Sequence, residues 1–480
     1  MPETVAESMT SSQFPSAAAV LKALQFKVAQ EMATHHAIRD EIRRYCTKHA
    51  VVDVRPTEKG ADLIDARHEY ASFKYIDNKP LSAFSDTYQY LRISHGVEQG
   101  LLTITIKVNA DALRETYERF YLSASSDPTA TAWNAQREAI LTRAFERNLV
   151  PMAKKYLHEE LLSQANDVLL NQYEWAFNQR LNVKPLRRVF TPSSSSDAKG
   201  KKKALQKKKK KQQQKKKRNS DEDEEEEEEE EEVYSDEEYE EDMDEEAYST
   251  AARTRVVALS IGEGLPETIA WGVSMNGHGT IRHHINVAHL QARGVSNQPM
   301  REEAERQVRE FITDEAPDFV IVAGWTPETH FFQRMIERHV EEDPLLRDRK
   351  VEVLFVNDDL ARLYMASEEG KSAMPNVAPL YRYVVAVARY AVEPLFEYAR
   401  LYQEQSDAIT ALKIHPSQDM ISTFQLKTCW ERALMRYINQ LGLDLHRAVA
   451  DARIGHCMQF ISGLGPRKAM TILNKMRSSV

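Results

Sequence analysis

The sequence predicts a multidomain chain, mainly α-helical, with a single α/β domain in its second half. Three observations carry this. Apolar residues recur at helical spacing through most of residues 17–190 and again beyond Pro379. Short β-prone runs replace that period between residues 256 and 356, and a window of dense charge separates the two halves. The 480 residues allow about three domains at about 150 residues each.

In the first half, Leu21, Leu24, Val28, Ile38 and Ile42 mark helical segments, and Trp133, Ile140, Leu141, Ala144 and Phe145 mark another. Pro151 suits the start of a helix. Met152, Tyr156, Leu161, Ala165, Val168, Leu169, Tyr173, Ala176 and Phe177 then follow with helical spacing, which predicts one long amphipathic helix. Only Leu102, Ile104, Ile106 and Val108, alternating with Thr103, Thr105 and Lys107, read as a strand.

Residues 192–250 open with four serines, pass through lysine and glutamine, and switch to an almost unbroken acidic tract. Thirteen basic residues fall in 199–218 and 22 acidic ones in 197–246, which leaves 51 of each elsewhere, so the formal charge of −9 belongs to this insert. Such a composition cannot bury enough apolar area to offset its ordering entropy, and disorder is expected. Solvated spacer is one reading. The other is partner binding: Tyr234, Tyr239 and Tyr248, interleaved with carboxylates, suit a segment that grips a basic partner through charge and aromatic anchors. Ser220 and Ser235, each followed by three acidic residues, suit an acid-directed kinase, and the lysine block suits nuclear import or nucleic-acid contact.

After the insert, β-prone runs at 256–261, 268–274 and 280–285 are separated by glycine-containing turns. A helical pattern at Ala304, Val308, Phe311 and Ile312 leads to an apolar strand at 319–323, a helix at 331–340, a strand at 351–356 and a further helix. The order βββαβαβα is that of an RNase H-like domain. Nucleases of that fold place an aspartate on the first strand and more carboxylates on later elements, to hold two divalent metals. Here strand one carries Ser260 where the carboxylate should stand, while Glu328, Asp358 and Asp359 follow later strands. The expectation is a degenerate site with no catalytic residue and no metal, in which Asp358 and Asp359 form an exposed helix cap.

Near the end, Gly463-Leu-Gly465-Pro466-Arg467-Lys468 lies between two apolar helical runs. The glycines permit a tight turn at positive φ, Pro466 suits the first helical position, and the N–H groups of a helix start can hold a phosphate. This predicts a helix-hairpin-helix whose binding would be weak, salt-dependent and blind to sequence, with a purely packing αα-hairpin as the alternative.

Other chemistry is thinly represented. Cys46, Cys429 and Cys457 are far apart, which argues against a disulfide framework or cysteine zinc site and for a reducing compartment. The His35–His36 and His283–His284 pairs lack partners at ligand spacing. No apolar run approaches the ~18 residues that cross a bilayer, and no nucleotide-binding or hydrolase motif occurs, so neither a membrane role nor a cofactor is expected.

Several stretches together resemble a known family: Pro56-Thr-Glu-Lys-Gly60, Lys74-Tyr-Ile-Asp-Asn-Lys79, Phe355-Val-Asn-Asp-Asp-Leu-Ala361, Leu441-Gly-Leu-Asp-Leu-His446 and Gly463-Leu-Gly-Pro-Arg-Lys-Ala469. They are similar, in the same order, to the core of the eukaryotic elongation factors and histone chaperones of the suppressor-of-Ty class, member six, and of the bacterial relative Tex. The resemblance covers residues 17–190 and 252–477. It implies a Tex-like helical region, a YqgF-type RNase H-fold domain without nuclease activity, and helix-hairpin-helix DNA or RNA binding. It also implies a nuclear role with histones or nucleosomes and the RNA polymerase II elongation complex. His446 stands where the family commonly shows asparagine, and one hairpin is read where the family usually has two.

The expected division is a Tex-like region with a helix-turn-helix at 17–190, the insert at 192–250, a YqgF-type domain at 252–376, a helical connector at 378–440 and the hairpin domain at 441–480. A non-enzymatic scaffold of transcription elongation is the leading reading. A metal-dependent RNase H-fold nuclease is the alternative.

Overall fold

The computed structural model describes residues 1–188, 253–262, 269–290, 295–403 and 407–478. The insert, with Tyr234, Tyr239 and Tyr248, lies outside the described residues. The chain divides into two compact units, one made of Met1–Ala176 with Ile414–Gln425 and the other of Phe177–Lys413 with Leu426–Val480.

The first unit is largely helical. Ser16 caps the helix Ala17–Thr34 by accepting from the Ala19 N–H, which satisfies one of the four donors left open at a helix start. The helices His36–His49 and Pro128–Arg143 follow, and a single π-helical stretch, Ala144–Leu149, leads into Val150–Leu181, the long helix expected around Pro151. Leu157, Leu161, Ala165, Leu169 and Tyr173 are buried at spacings of four, as an amphipathic helix requires. Two strands beyond the expected one also form. The sheet has the order β2-β1-β3, with β1 Val51–Pro56, β2 Ile76–Pro80 and β3 Leu102–Lys107, all antiparallel. Asp53 interrupts the apolar run of β1 and hides it from a pattern reading. Its carboxylate is buried between a Lys107 ammonium and the Asn78 N–H, which donates at 2.8 Å.

The second unit contains the expected α/β order. β4 (Arg255–Gly262), β5 (Ile269–Asn276), β6 (Ile281–Val287), β7 (Phe319–Ala323) and β8 (Glu352–Phe355) form one sheet in the order β6-β5-β4-β7-β8. β4, β5 and β6 pair antiparallel, and β4, β7 and β8 pair parallel. Both faces are covered, which explains why β4 reads as a continuous apolar run. Val257, Leu259 and Ile261 pack with Val308, Ile312 and Ile336 from the helices Gln298–Glu315 and Pro327–Glu342. On the opposite face Val256 and Ala258 pack with Tyr383, Val384 and Val387 of Pro379–Val392.

Helical structure resumes after the sheet with Pro394–Leu401, most of Thr423–Leu441, and the shorter Leu445–Ala450, Ala452–Cys457 and Gly465–Ser478. Cys46, Cys429 and Cys457 are buried and form no disulfide. Among the described residues no helix is long and apolar enough to cross a membrane.

Candidate nucleic-acid interface and degenerate nuclease site

The glycine turn near the end has the backbone its sequence predicts. Gly463 and Gly465 lie at φ +85° and +62°, in the left-handed region that a side chain disfavours, and Pro466 is the second residue of the following helix. The turn faces solvent: both glycines have open space where a Cβ would sit, and Arg467 and Lys468 are exposed. Lys468 folds back so that its ammonium donates to the Gly463 carbonyl at 3.1 Å. Ala469 and Leu473 are buried and anchor the helix behind the turn.

Asn439 pins this turn, and no sequence pattern pointed to it. Its side-chain oxygen accepts from the Ser462 N–H at 3.0 Å, and its amide donates to the Phe460 carbonyl at 2.9 Å. One side chain on Thr423–Leu441 thereby satisfies main-chain groups on both sides of the loop entry.

The positions that would form a two-metal site are differently occupied. Ser260 is fully buried in β4, between Trp271 of β5 and Ala323 of β7 in register, on the face that Pro379–Val392 covers. Asp358 is buried rather than exposed, and its side chain makes no capping bond, contrary to the expected exposed cap. It accepts instead from the Tyr383 hydroxyl at 2.6 Å and from Arg362 at 2.9 Å. Burial, reinforced by that bond to Asp358, raises the Tyr383 hydroxyl far above the ordinary tyrosine range. Asp359 accepts from Arg362 at 2.9 Å and from Arg180 at 3.2 Å, while its N–H donates to the Asn357 side chain. Glu328 sits half-buried in the first turn of Pro327–Glu342, with no hydrogen bond to either aspartate. The two aspartates are thus brought together around Arg362, while Ser260 and Glu328 stay outside that cluster. Among the described residues no three His, Cys, Asp or Glu side chains form a group that could hold a metal.

Below the hairpin lies a buried set of charges. Arg453 reaches Glu397 at 3.3 Å and Asp451 at 2.6 Å, and also donates to the His278 carbonyl at 3.1 Å in the turn between β5 and β6. Gly279, at φ +75°, leaves room for the guanidinium, since a Cβ there would lie 2.8 Å from it. Glu393 pairs with Arg447 at 2.6 Å, and Arg400 lies over the Tyr364 ring at 3.7 Å while pairing with Glu369. Burial pushes the His278 imidazole down to about 4, and the nearby Arg447 and Arg187 add to the effect.

Residues 250–402 match the family described as YqgF, Holliday-junction resolvase-like of SPT6, and residues 407–479 match the helix-hairpin-helix motif family HHH_7. The chain is 25% identical over 490 residues to transcription elongation factor spt-6 of Neurospora crassa, covering 98% of this chain and 30% of that protein. It is 27% identical over 498 residues to transcription elongation factor spt6 of Aspergillus fumigatus, with the same two coverages. It is 26% identical over 485 residues to the transcription elongation factor SPT6 homolog of Arabidopsis thaliana, covering 98% and 26%. The chain thus spans between a quarter and a third of the length of these curated relatives, and the resemblance drawn from its motifs is borne out.

Proposed function

We propose that this chain, a relative of the SPT6 transcription elongation factors, is a non-enzymatic nucleic-acid-binding core that serves transcription elongation. The observation that carries the reading is the exposed turn at Gly463 and Gly465, followed by Arg467 and Lys468 at a helix start, within the segment matched by the hairpin family. Open first-turn N–H groups and two cationic side chains suit a phosphate of DNA or RNA, and contacts of that kind bind weakly and without reading bases.

The YqgF-type domain serves as scaffold in this reading. Ser260 replaces the first-strand carboxylate, and Asp358 and Asp359 are committed to Arg362, Arg180 and Tyr383, which argues against the nuclease alternative. The same proposal assigns the acidic insert, with Tyr234, Tyr239 and Tyr248, to histones or nucleosomes, and places the chain in the nucleus beside the RNA polymerase II elongation complex. The division at 17–190, 192–250, 252–376, 378–440 and 441–480 belongs to it as well.

The test is a titration of labelled duplex DNA and RNA with the chain and with an Arg467→Ala, Lys468→Ala double variant. The variant should bind more weakly at every sequence, and the slope of log affinity against log salt should fall by about one per lysine or arginine removed. Unchanged affinity in the folded variant would make the hairpin a packing element only. Cleavage of branched or duplex substrates with Mg²⁺ or Mn²⁺ that Asp358→Ala abolishes would establish the nuclease instead.

A further inference from the structure

The hairpin reading leaves one edge of the sheet unused. Along Pro327–Glu342, His330, Arg334 and Arg338 stand four apart and Phe331 three before Arg334, so they share one side of the helix, and all four are exposed. Phe331 is 69% exposed. His330 stacks on Phe355 at the end of β8, with ring centroids 5.7 Å and planes 25° apart, and Phe355 is itself 47% exposed. Trp325, 49% exposed, stands edge-on to Tyr383 at 5.2 Å. The Gly324 turn presents it, because any Cβ there would collide with the Thr329 side chain.

These rings lie at or just beyond the carboxyl ends of β7 and β8. Open parallel sheets take their ligands at that edge. A soluble surface does not ordinarily gather four open aromatic rings, since each would be more stable buried. Two cations on this face are also uncommitted. Arg334 and Arg338 enter no ion pair among the described residues although Glu328, Glu337, Glu341 and Glu342 stand on the same helix; Glu337 accepts from Gln333 instead, and Asp358 and Asp359 are held by Arg362 and Arg180.

We propose that this edge binds single-stranded nucleic acid, with bases stacked on Trp325, Phe331 and the His330–Phe355 pair and phosphates met by Arg334 and Arg338. Free rings beside unpaired arginines suit a strand whose bases are unstacked, because every base offers a π-face and every linkage a charge. A duplex keeps its bases inside and cannot use the rings. The edge is therefore distinct in specificity from the hairpin, which contacts phosphates alone.

The experiment uses the whole chain and fluorescence anisotropy with oligo(U), oligo(dT) and a duplex, each about 12 nucleotides or base pairs long. A Trp325→Ala, Phe331→Ala variant should lose about tenfold or more in single-strand affinity and keep its duplex affinity. The Arg467→Ala, Lys468→Ala variant should lose duplex affinity and weaken single strands only through their phosphates, with a smaller salt slope, so the variant that spares the duplex tells failure of this site from failure of the hairpin. Binding of oligo(U), oligo(dT) or both supports the site, and their ratio tells RNA from DNA. Because Trp325 and Phe331 are exposed, an unchanged melting temperature is expected. If it falls, an Arg334→Gln, Arg338→Gln variant with a reduced salt slope on single strands supplies the same test. No single-strand binding by the parent chain, or equal affinity in parent and variants, overturns the proposal and leaves the aromatic edge to a protein partner.

Discussion

Arg453 donates a hydrogen bond of 3.1 Å to the main-chain carbonyl of His278, 175 residues earlier in the chain. The same guanidinium holds Glu397 and Asp451, so a single side chain joins the hairpin region to the β5–β6 turn within the second unit. Arg453→Ala would leave the buried Glu397 carboxylate with Arg400 alone, at 3.3 Å, and Asp451 without its guanidinium, at a cost of up to about 3–5 kcal/mol. Arg453→Lys should recover only part of this, since an ammonium cannot reproduce the planar fork. Chemical denaturation of the three proteins checks both expectations.

Acid should weaken the same region. His278 is held neutral down to about pH 4, whereas an unfolded histidine takes up its proton near 6.5. Between these values His278 binds a proton in the unfolded chain and not in the folded one, so its contribution to stability falls as pH is lowered through that window and levels off below it, opposed by Glu369, whose carboxyl burial raises to about 7. His278→Asn should flatten the profile between pH 6.5 and 4. Denaturant midpoints measured across that range decide it, and an equally steep variant would count against His278 as the source.

Replacing Gly465 by valine separates turn geometry from charge. A β-branched residue at φ +62° is strained by about 1–3 kcal/mol, and the displaced helix start should also bind nucleic acid less well. Lys468→Ala removes an exposed side chain and should change stability by less than about 0.5 kcal/mol while weakening binding. Thermal melts alongside affinity measurements distinguish the two effects.

Ser260→Asp should not create a nuclease. The position is fully buried on the face that Pro379–Val392 covers, so an added carboxylate would be taken out of water and should cost several kcal/mol, about 3–5 by analogy with an unpaired buried charge. The expected outcome is a lower melting temperature and no Mg²⁺-dependent cleavage. A stable, cleaving variant would reinstate the metal site.

For the insert, residues 221–246 carry 21 carboxylates in 26 positions, and their removal should abolish most histone binding. On that proposal, removal of residues 199–218 alone should strengthen it, because lysines and a basic partner are alternative counter-charges for the same carboxylates. Changing Tyr234, Tyr239 and Tyr248 to serine tests anchoring: a tenfold loss corresponds to about 1.4 kcal/mol. Equal histone affinity without the whole insert would reduce it to a spacer.

What could be read from the sequence divides by the distance over which the information acts. Helical spacing announced Val150–Leu181, and the apolar runs of β4 and β7 announced a sheet covered on both faces, because both signals are local. The Gly463 and Gly465 conformations were equally local. β1 and β2 were missed because Asp53 breaks one pattern and β2 offers little beyond Ile76, and their pairing depends on partners such as Lys107 that pattern reading cannot supply. Asn439, Tyr383 and Arg453 were missed for the same reason. Each acts on a residue at least 21 positions away, and Asp358, read as an exposed cap, was buried by just such a partner.

The three buried thiols make the chain its own reporter. A thiol closed to water and raised in pKa, as burial raises Cys46 to about 11, reacts with an alkylating reagent only while its surroundings are open. Cys46 belongs to one unit, and Cys429 and Cys457 to the other. Under native conditions the modification rate of the first therefore measures how often its unit opens, and the rates of the other two measure the same for theirs. Mass spectrometry of the labelled peptides would give a separate opening free energy for each half of the molecule, with no residue changed and no denaturant added.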